Sequence, residues 1–285
     1  MGVVMKGADV ANAMKEELLQ RVAGLKEKGV SPCLAILRVG ARPDDLAYER
    51  GAKKRMELLG IDCRTVELPR DIRQETFEEK LKELNEDGRV HGILLFRPLP
   101  GHLDEEAAKR IVDPGKDMDG MCPANVAKVF AGDNTGYAPC TAEAVIELLD
   151  HYKIPLSGKR VVVVGRSMVV GRPLSMLLLK RHATVTICHT RTRDLPGVCR
   201  EAEILVAAAG KARMITQDMV GEQAVVADVG INVDEEGNMW GDVDFETVQE
   251  QASHISPVPR GVGSITTSVL AKHVVQAAER QTDNE

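Results

Sequence analysis

The stretch Val161-Val162-Val163-Val164-Gly165-Arg166-Ser167-Met168-Val169-Val170-Gly171-Arg172-Pro173 limits the fold more than any other. A run of consecutive valines reads as a strand buried on both faces, which is the habit of a parallel sheet. A glycine turn follows at once. Beyond Gly171 and Pro173, Leu174, Leu177 and Leu178 keep helical spacing. Proline suits a helix's first turn, where its missing N–H costs nothing. Strand, glycine turn and helix in that order form a phosphate cradle of the βαβ type. The pattern Gly165-x-Ser167-x-x-x-Gly171 departs from the usual G-x-G-x-x-G, and a plain βα turn of any α/β protein shares part of it.

The rest of the chain repeats this alternation. Val10, Met14, Leu18, Val22 and Leu25 keep helical spacing up to Gly29. Cys33 to Val39 reads as a strand, Leu46 to Leu59 as a helix closed by Gly60, and Ile61 to Leu68 as a strand. Phe77, Leu81 and Leu84 mark a helix, and Val90 to Phe96 a strand stopped by Pro98 and Pro100. Thr141 to His151 reads as a connecting helix with Thr141 as its N-cap. The runs 160–164, 184–188, 204–208 and 225–229 follow as strands of a doubly wound sheet. A final amphipathic helix starts near Ser264 and carries Val269, His273 and Val274, with His273 expected to be half-buried and structural. The expected fold is α/β with two domains: residues 1–140 together with a returning helix 264–285, and a Rossmann-type domain over 141–263.

Composition narrows the function classes. The chain is 44% hydrophobic but only 3% aromatic, so its cores are aliphatic. A net charge of −6 speaks against a nucleic-acid binder, which needs a basic face. The six cysteines form no C-x-x-C pair and fit a reducing cytoplasm. No signal peptide and no membrane-spanning run is expected. In Lys116-Asp117-Met118-Asp119-Gly120 the two acids could bind a metal, hydrogen-bond a polar ligand or cap the next segment. No further oxygen ligands follow at EF-hand spacing, so no metal is expected.

Ligands of parallel sheets bind beyond the strands' carboxyl ends. After 184–188, where NAD-specific proteins usually carry an acid, the chain reads His189-Thr190-Arg191-Thr192-Arg193. With Arg166 this is a cationic, hydroxyl-rich corner, and an arginine fork matches phosphate bidentately. It favours NADP, with NAD possible; a solvated basic loop is the plain alternative.

Nearly the whole chain resembles the methylenetetrahydrofolate dehydrogenase/cyclohydrolase family. The resemblance rests on Pro98-Leu99-Pro100, Lys116-Asp117-x-Asp119-Gly120, Pro139-Cys140-Thr141, Gly165-Arg166-Ser167-x-x-x-Gly171-Arg172-Pro173, Asp228-Val229-Gly230-Ile231-Asn232, Gly241-Asp242-Val243 and Pro257-Val258-Pro259-x-Gly261-Val262-Gly263. It implies a homodimer, a last helix returning to the first domain, a folate cleft, and two reactions. One moves hydride from a tetrahydrofolate derivative to NAD(P); the other hydrolyses the resulting methenyl cation. The implied substrate contacts are Tyr48, Asp119, Pro98, Pro259, Gly261 and Gly263, with Tyr48 and Asp119 as the catalytic pair. The implied cofactor contacts are Gly165, Arg166, Ser167, Gly171, Arg172, Pro173, Thr190, Arg191, Gly210, Gly230 and Ile231.

The departures gather in the folate half. The family has Tyr-x-x-x-Lys, with that lysine central to catalysis; here Tyr48 is followed by Ala52. The spacings Gly40–Tyr48 and Tyr48–Gly60 match the family, so no shift of register rescues the lysine. Lys53 is turned about 100° away on the helix. The glutamine that supports the lysine is Phe96, and Arg97 replaces a leucine. Asp45 replaces a serine, Arg260 a glycine, Ser264 a proline and Ile265 a methionine. Arg97 and Arg260 read as new cations. The expected activity is an NADP-dependent dehydrogenase with cyclohydrolase weak or lost. The alternatives are an enzyme of this fold acting on another one-carbon or pterin-like substrate, and a non-catalytic nucleotide- or folate-binding protein.

Overall fold

The computed structural model describes residues 2–283. Its elements run β1 (Val3–Val4), α1 (Gly7–Glu27), β2 (Cys33–Val39), α2 (Pro43–Leu59), β3 (Asp62–Leu68), α3 (Gln74–Glu86), β4 (Gly92–Leu95), α4 (Glu105–Ile111), α5 (Pro123–Ala131) and α6 (Cys140–His151). They continue with β5 (Arg160–Val164), α7 (Gly171–Lys180), β6 (Thr184–Cys188), α8 (Leu195–Arg200), β7 (Ile204–Ala207), β8 (Val225–Asp228), β9 (Asn232–Val233), β10 (Met239–Trp240), α9 (Phe245–Val248), β11 (His254–Ile255) and α10 (Thr266–Thr282). The chain divides into two compact units: Ala13–Cys140 with Thr267–Glu285, and Met1–Asn12 with Thr141–Thr266.

The first unit holds a parallel three-stranded sheet in the order β3-β2-β4. β2 lies in the middle and every residue of it is buried, which is why its sequence is almost continuously apolar. Gly60 closes α2 in the left-handed conformation (φ 68°), where glycine has no Cβ to clash. α2 begins at Pro43, three residues before the apolar periodicity shows it, because Pro43 and the acids Asp44 and Asp45 suit a helix's first turn. α10 packs into this unit: His273 Nδ1 donates to the Met118 carbonyl (2.8 Å), Gln281 donates to the His91 carbonyl, and Arg21 pairs with Glu279 at 2.7 Å. His273 is fully buried rather than half-buried, at 1% exposure.

The second unit is a six-stranded sheet in the order β1-β11-β8-β7-β5-β6, parallel throughout. Its core includes Val162, Val164, Leu205, Val226 and Ile255. The order doubles back around β5, as a doubly wound sheet requires. The compact units differ from the expected bounds at two points. Residues 1–12 belong to this unit and not to a 1–140 domain, because β1 pairs with β11. The unit also runs on to Thr266 rather than 263; of the tail 264–285, residues 284 and 285 lie outside the described ones. Thr141 is not an N-cap, since α6 starts one residue earlier at Cys140. The short β9–β10 hairpin is an antiparallel addition. No helix among the described residues is long and apolar enough to cross a membrane.

Candidate functional site

The sequence-derived residues fall into separate groups within each unit. In the first unit, Tyr48 on α2 meets Phe96, just past β4, edge-on with ring centroids 5.9 Å apart. Ala52, one turn along α2, is 0% exposed and offers only a methyl group. Lys53 does not stand in for a lysine at 52: its Nζ lies 2.6 Å from Glu49, which also pairs with the buried Arg38 at 2.8 Å. Lys53 therefore belongs to a structural ion network against β3, which Thr65 joins with a hydrogen bond to Glu49.

The two acids after β4 have different tasks. Lys116 donates to the Asn85 and Asp87 carbonyls, and a parallel bridge between Ile93 and Asp117 lays the segment beside β4. Asp117 is 1% exposed and accepts the N–H groups of Met121 and Cys122 and the side-chain amide of Asn125. It holds the approach to α5, whose N-cap is Cys122, with the Cys122 sulfur accepting the Asn125 N–H. Asp119 remains half-buried at 25% side-chain exposure, taking the Cys140 N–H on Oδ1 at 2.9 Å. Its other oxygen faces Arg97, whose Nη2 lies 3.3 Å away. Burial raises the Asp119 carboxyl above the ordinary carboxylate range, opposed by the Cys140 N–H and by Arg97. Arg97 is thus not a free cation, as the sequence suggests, but an ion-paired one. Pro98 follows it across a cis peptide bond.

In the second unit the turn after β5 is a steric necessity. A Cβ on Gly165 (φ 135°) would stand 2.1 Å from the Ala208 carbonyl oxygen, and one on Gly171 would stand 2.0 Å from that of Gly165. Only glycine lets α7 start this close to the strand end, which leaves the helix N-terminus open to an anion. Ser167 accepts the Val170 N–H within the turn. Arg166 and Ser167 are exposed there, Arg172 lies in the first turn of α7, and Pro173 is buried. Thr190 and Arg191 are exposed past the end of neighbouring β6, where the Arg191 N–H is held by His189 Nδ1 at 3.1 Å.

Two buried acids organise the loops beyond. Asp242, 0% exposed, accepts the N–H groups of Ala209, Gly210 and Lys211 and the side-chain amide of Asn232. Asp228 accepts those of Gly230, Asp242 and Val243. Burial pushes the Asp228 carboxyl up to about 6. The family resemblance points to Gly210 and Gly230 but not to these carboxylates, although both stand inside motifs that carry it. Gly230, Ile231, Pro259, Gly261 and Gly263, assigned to two ligands from sequence, line one pocket of about 250 Å³. Arg260 shares that pocket in a left-handed conformation (φ 80°). No group of three metal-ligating side chains occurs among the described residues.

A doubly wound sheet with a glycine cradle, joined to a smaller parallel α/β unit, defines a Rossmann-type nucleotide-binding protein of two units. Residues 5–119 match the tetrahydrofolate dehydrogenase/cyclohydrolase catalytic domain and residues 139–282 the NAD(P)-binding domain of the same family. The chain belongs to the tetrahydrofolate dehydrogenase/cyclohydrolase family. It is 57% identical to the bifunctional protein FolD of Alkaliphilus oremlandii over 99% of both chains. Among solved structures it resembles the FolD methylenetetrahydrofolate dehydrogenase/cyclohydrolase of Campylobacter jejuni (TM-score 0.96, 38% identity, 98% of this chain and 99% of that one). It is also similar to the Trypanosoma brucei enzyme, solved with NADP and an inhibitor (TM-score 0.93, 36% identity, 99% and 98%).

Proposed function

We propose that this chain is an NADP-dependent 5,10-methylenetetrahydrofolate dehydrogenase of one-carbon metabolism whose cyclohydrolase activity is weak or lost. The observation that carries the second clause is the neighbourhood of Tyr48: a buried Ala52 methyl and an edge-on Phe96 ring, where the family resemblance expects an amine and its amide partner. Adding water to a methenyl cation needs proton transfer, to which a positioned acid–base group contributes roughly 10²–10⁴-fold. Neither side chain can move a proton. Hydride transfer depends chiefly on alignment of the reacting carbons, which the loss of a lysine leaves possible.

The dinucleotide, when bound, supplies the hydride acceptor. The Gly165–Gly171 turn leaves room that a Cβ would fill, and so fits a phosphate group. Around it Arg166, Ser167, Arg172 and Pro173 line the turn, Thr190 and Arg191 take the additional phosphate of NADP, and Gly210, Gly230 and Ile231 border the rest. NAD binds the same cradle more weakly. Asp119 accepts ring N–H groups of the folate, Tyr48 orients it, and Pro98, Pro259, Gly261 and Gly263 supply backbone contacts. The working form is a cytoplasmic homodimer with no nucleic-acid or membrane partner; six free thiols suit a reducing compartment, and the net charge of −6 suits small-molecule work.

A second reading, that both activities persist, is favoured by the bifunctional name of the 57%-identical relative. One assay separates the two: NADP reduction with methylenetetrahydrofolate, and decay of methenyltetrahydrofolate absorbance against the buffer rate. We expect reduction in the wild type without appreciable decay. Ala52→Lys alone should recover little hydrolysis, because a buried lysine facing an aromatic ring loses its proton. Ala52→Lys with Phe96→Gln should exceed the sum of the single changes, since contacting residues couple. Robust hydrolysis by the wild type would establish the second reading. Failure to bind tetrahydrofolate at all would return the chain to another pterin-like substrate or to a non-catalytic role.

A further inference from the structure

Arg97 stands at the centre of a charge ladder that neither reaction described above uses. Its Nη1 lies 3.8 Å from Glu105 Oε1 and its Nη2 3.3 Å from Asp119 Oδ2. Glu105 is itself fixed: it accepts the Leu99 N–H at 3.2 Å and pairs with Lys109 at 3.2 Å. The Arg97 side chain is only 18% exposed, and its guanidinium has an acid on either side. We propose that Arg97 is a positioning residue for the substrate, fixing the Asp119 carboxylate in place as the hydrogen-bond acceptor for the folate ring.

The argument is electrostatic and geometric. Asp119 keeps accepting capacity, because a carboxylate has about four lone-pair directions. The Cys140 N–H engages Oδ1 and the longer Arg97 contact Oδ2, with the Cys140 thiol as one further neutral donor. That capacity is useful for ring N–H donors only while the group is an anion; a protonated carboxyl turns one oxygen into a donor. The surroundings press toward protonation. Burial does so, and Asp117 adds negative charge from the same loop. The Cys140 thiol, which contacts the Met118 carbonyl, also favours the Asp119 anion as a neutral hydrogen-bond donor, and His273 of α10 donates to that same carbonyl. Glu105 and Lys109 of α4 act through Arg97. Among these groups Arg97 is the cation in direct contact, and charge-assisted hydrogen bonds are the strong ones. The leucine expected at 97 by family resemblance has no charge to offer. A chain without the amine at 52 thus carries a cation at 97, in the same unit and on Asp119.

The inference rests on the dehydrogenase reading, and its test is arranged to fail separately. Arg97→Leu and Arg97→Lys are made in the full chain and assayed with methylenetetrahydrofolate and NADP across pH. For Arg97→Leu we expect KM for the folate to rise about tenfold with kcat within about twofold, the size of one charge-assisted hydrogen bond. The acid limb of kcat/KM should move to higher pH, because Asp119 then protonates sooner. The Kd for NADP, held by the other unit, should not move, which also reports that the fold is intact. Arg97→Lys should restore most of the KM. Should Arg97→Leu fail to fold, Glu105→Gln carries the test: it loosens the anchor and should shift KM and the acid limb in the same direction by less. Wild-type KM and acid limb in Arg97→Leu, or in Glu105→Gln where that variant carries the test, would overturn the proposal. So would an Arg97→Lys as poor as Arg97→Leu. Absence of folate-dependent NADP reduction in the wild type overturns the parent reading, and with it this one, before any variant is made.

Discussion

Arg260 occupies a backbone conformation that its side chain resists. Its φ is 80°, in the region where a Cβ crowds the following carbonyl, while its own carbonyl accepts the Gly7 N–H at 2.9 Å. A left-handed L-residue costs roughly 1–2 kcal/mol, and glycine, which the family resemblance expects here, avoids that cost while losing more chain entropy on folding. Arg260→Gly should therefore raise stability by up to about 1 kcal/mol, a rise of about 2–4 °C in melting temperature for a chain this long. Thermal unfolding checks it. A fall of several degrees would show that the Arg260 side chain makes contacts worth more than the strain. The substitutions at 52, 96, 97 and 260 were legible because motifs that resemble the family's flank each position. Their consequences were less so. Asp117 and Asp119 look alike in Lys116-Asp117-Met118-Asp119, and only the fold buries one against the loop before α5 and leaves the other half-buried beside Arg97. The Arg97–Asp119 pair spans 22 residues and needs α4 to bring Glu105 behind it, which no local pattern announces.

At the scale of elements, the strands and most helices were legible because their burial follows the period of the chain: β2, β5 and β7 are buried almost throughout, and α7 buries Leu174 and Leu178. The β9–β10 hairpin was not. Its strands are two residues each and largely exposed, so no apolar alternation marks them. The Asp242 clasp on residues 209–211 was also hidden, since its partners lie 31–33 residues away. The edge strand β6 sets cofactor choice on our reading. It pairs with β5 on one side only, and its carboxyl end delivers Thr190 and Arg191 next to the β5–α7 turn. With no acid after Cys188, nothing there would repel a phosphate on the ribose. NADP should bind more tightly than NAD, and Arg191→Ala should weaken NADP about tenfold or more while leaving NAD nearly unchanged, since a hydrogen bond to a charged group is worth about 1.5–3 kcal/mol. Titration of both cofactors against both proteins decides it. Equal wild-type affinities would remove the role given to this corner.

At the scale of the whole molecule, the units do not follow the order of the chain. The chain passes from one unit to the other after residues 12, 140 and 266, whereas the family's two domains cover 5–119 and 139–282. Each unit therefore borrows its last piece from the far end of the sequence. The first borrows α10, in which Val269, Leu270, Val274 and Val275 are all 0% exposed. At roughly 1.5–3 kcal/mol for each buried Val or Leu, these side chains contribute about 6–12 kcal/mol, comparable with the roughly 5–15 kcal/mol that keeps a whole domain folded. A Cβ at Gly92 would strike Met118 at 2.5 Å and Val274 at 3.2 Å, so β4 and α10 are packed without slack. The second unit borrows β1 and Met5: the Val3 N–H bonds the Ser253 carbonyl and the Met5 N–H that of Ile255. It also borrows Lys6, whose backbone N–H donates to the Tyr152 hydroxyl at 2.7 Å. Cutting the chain between residues 140 and 141, at the boundary the sequence suggests, should thus yield two incomplete fragments. The fragment 1–140 should show no cooperative melt, and 141–285 should aggregate through the bare face of α10. Co-expressed, the two should associate, melt cooperatively and bind NADP. Circular dichroism on each fragment, with a pull-down of the pair, tests this. A native-like cooperative transition for 1–140 alone would mean that α10 is an accessory and that the first unit is set by residues 13–140 themselves.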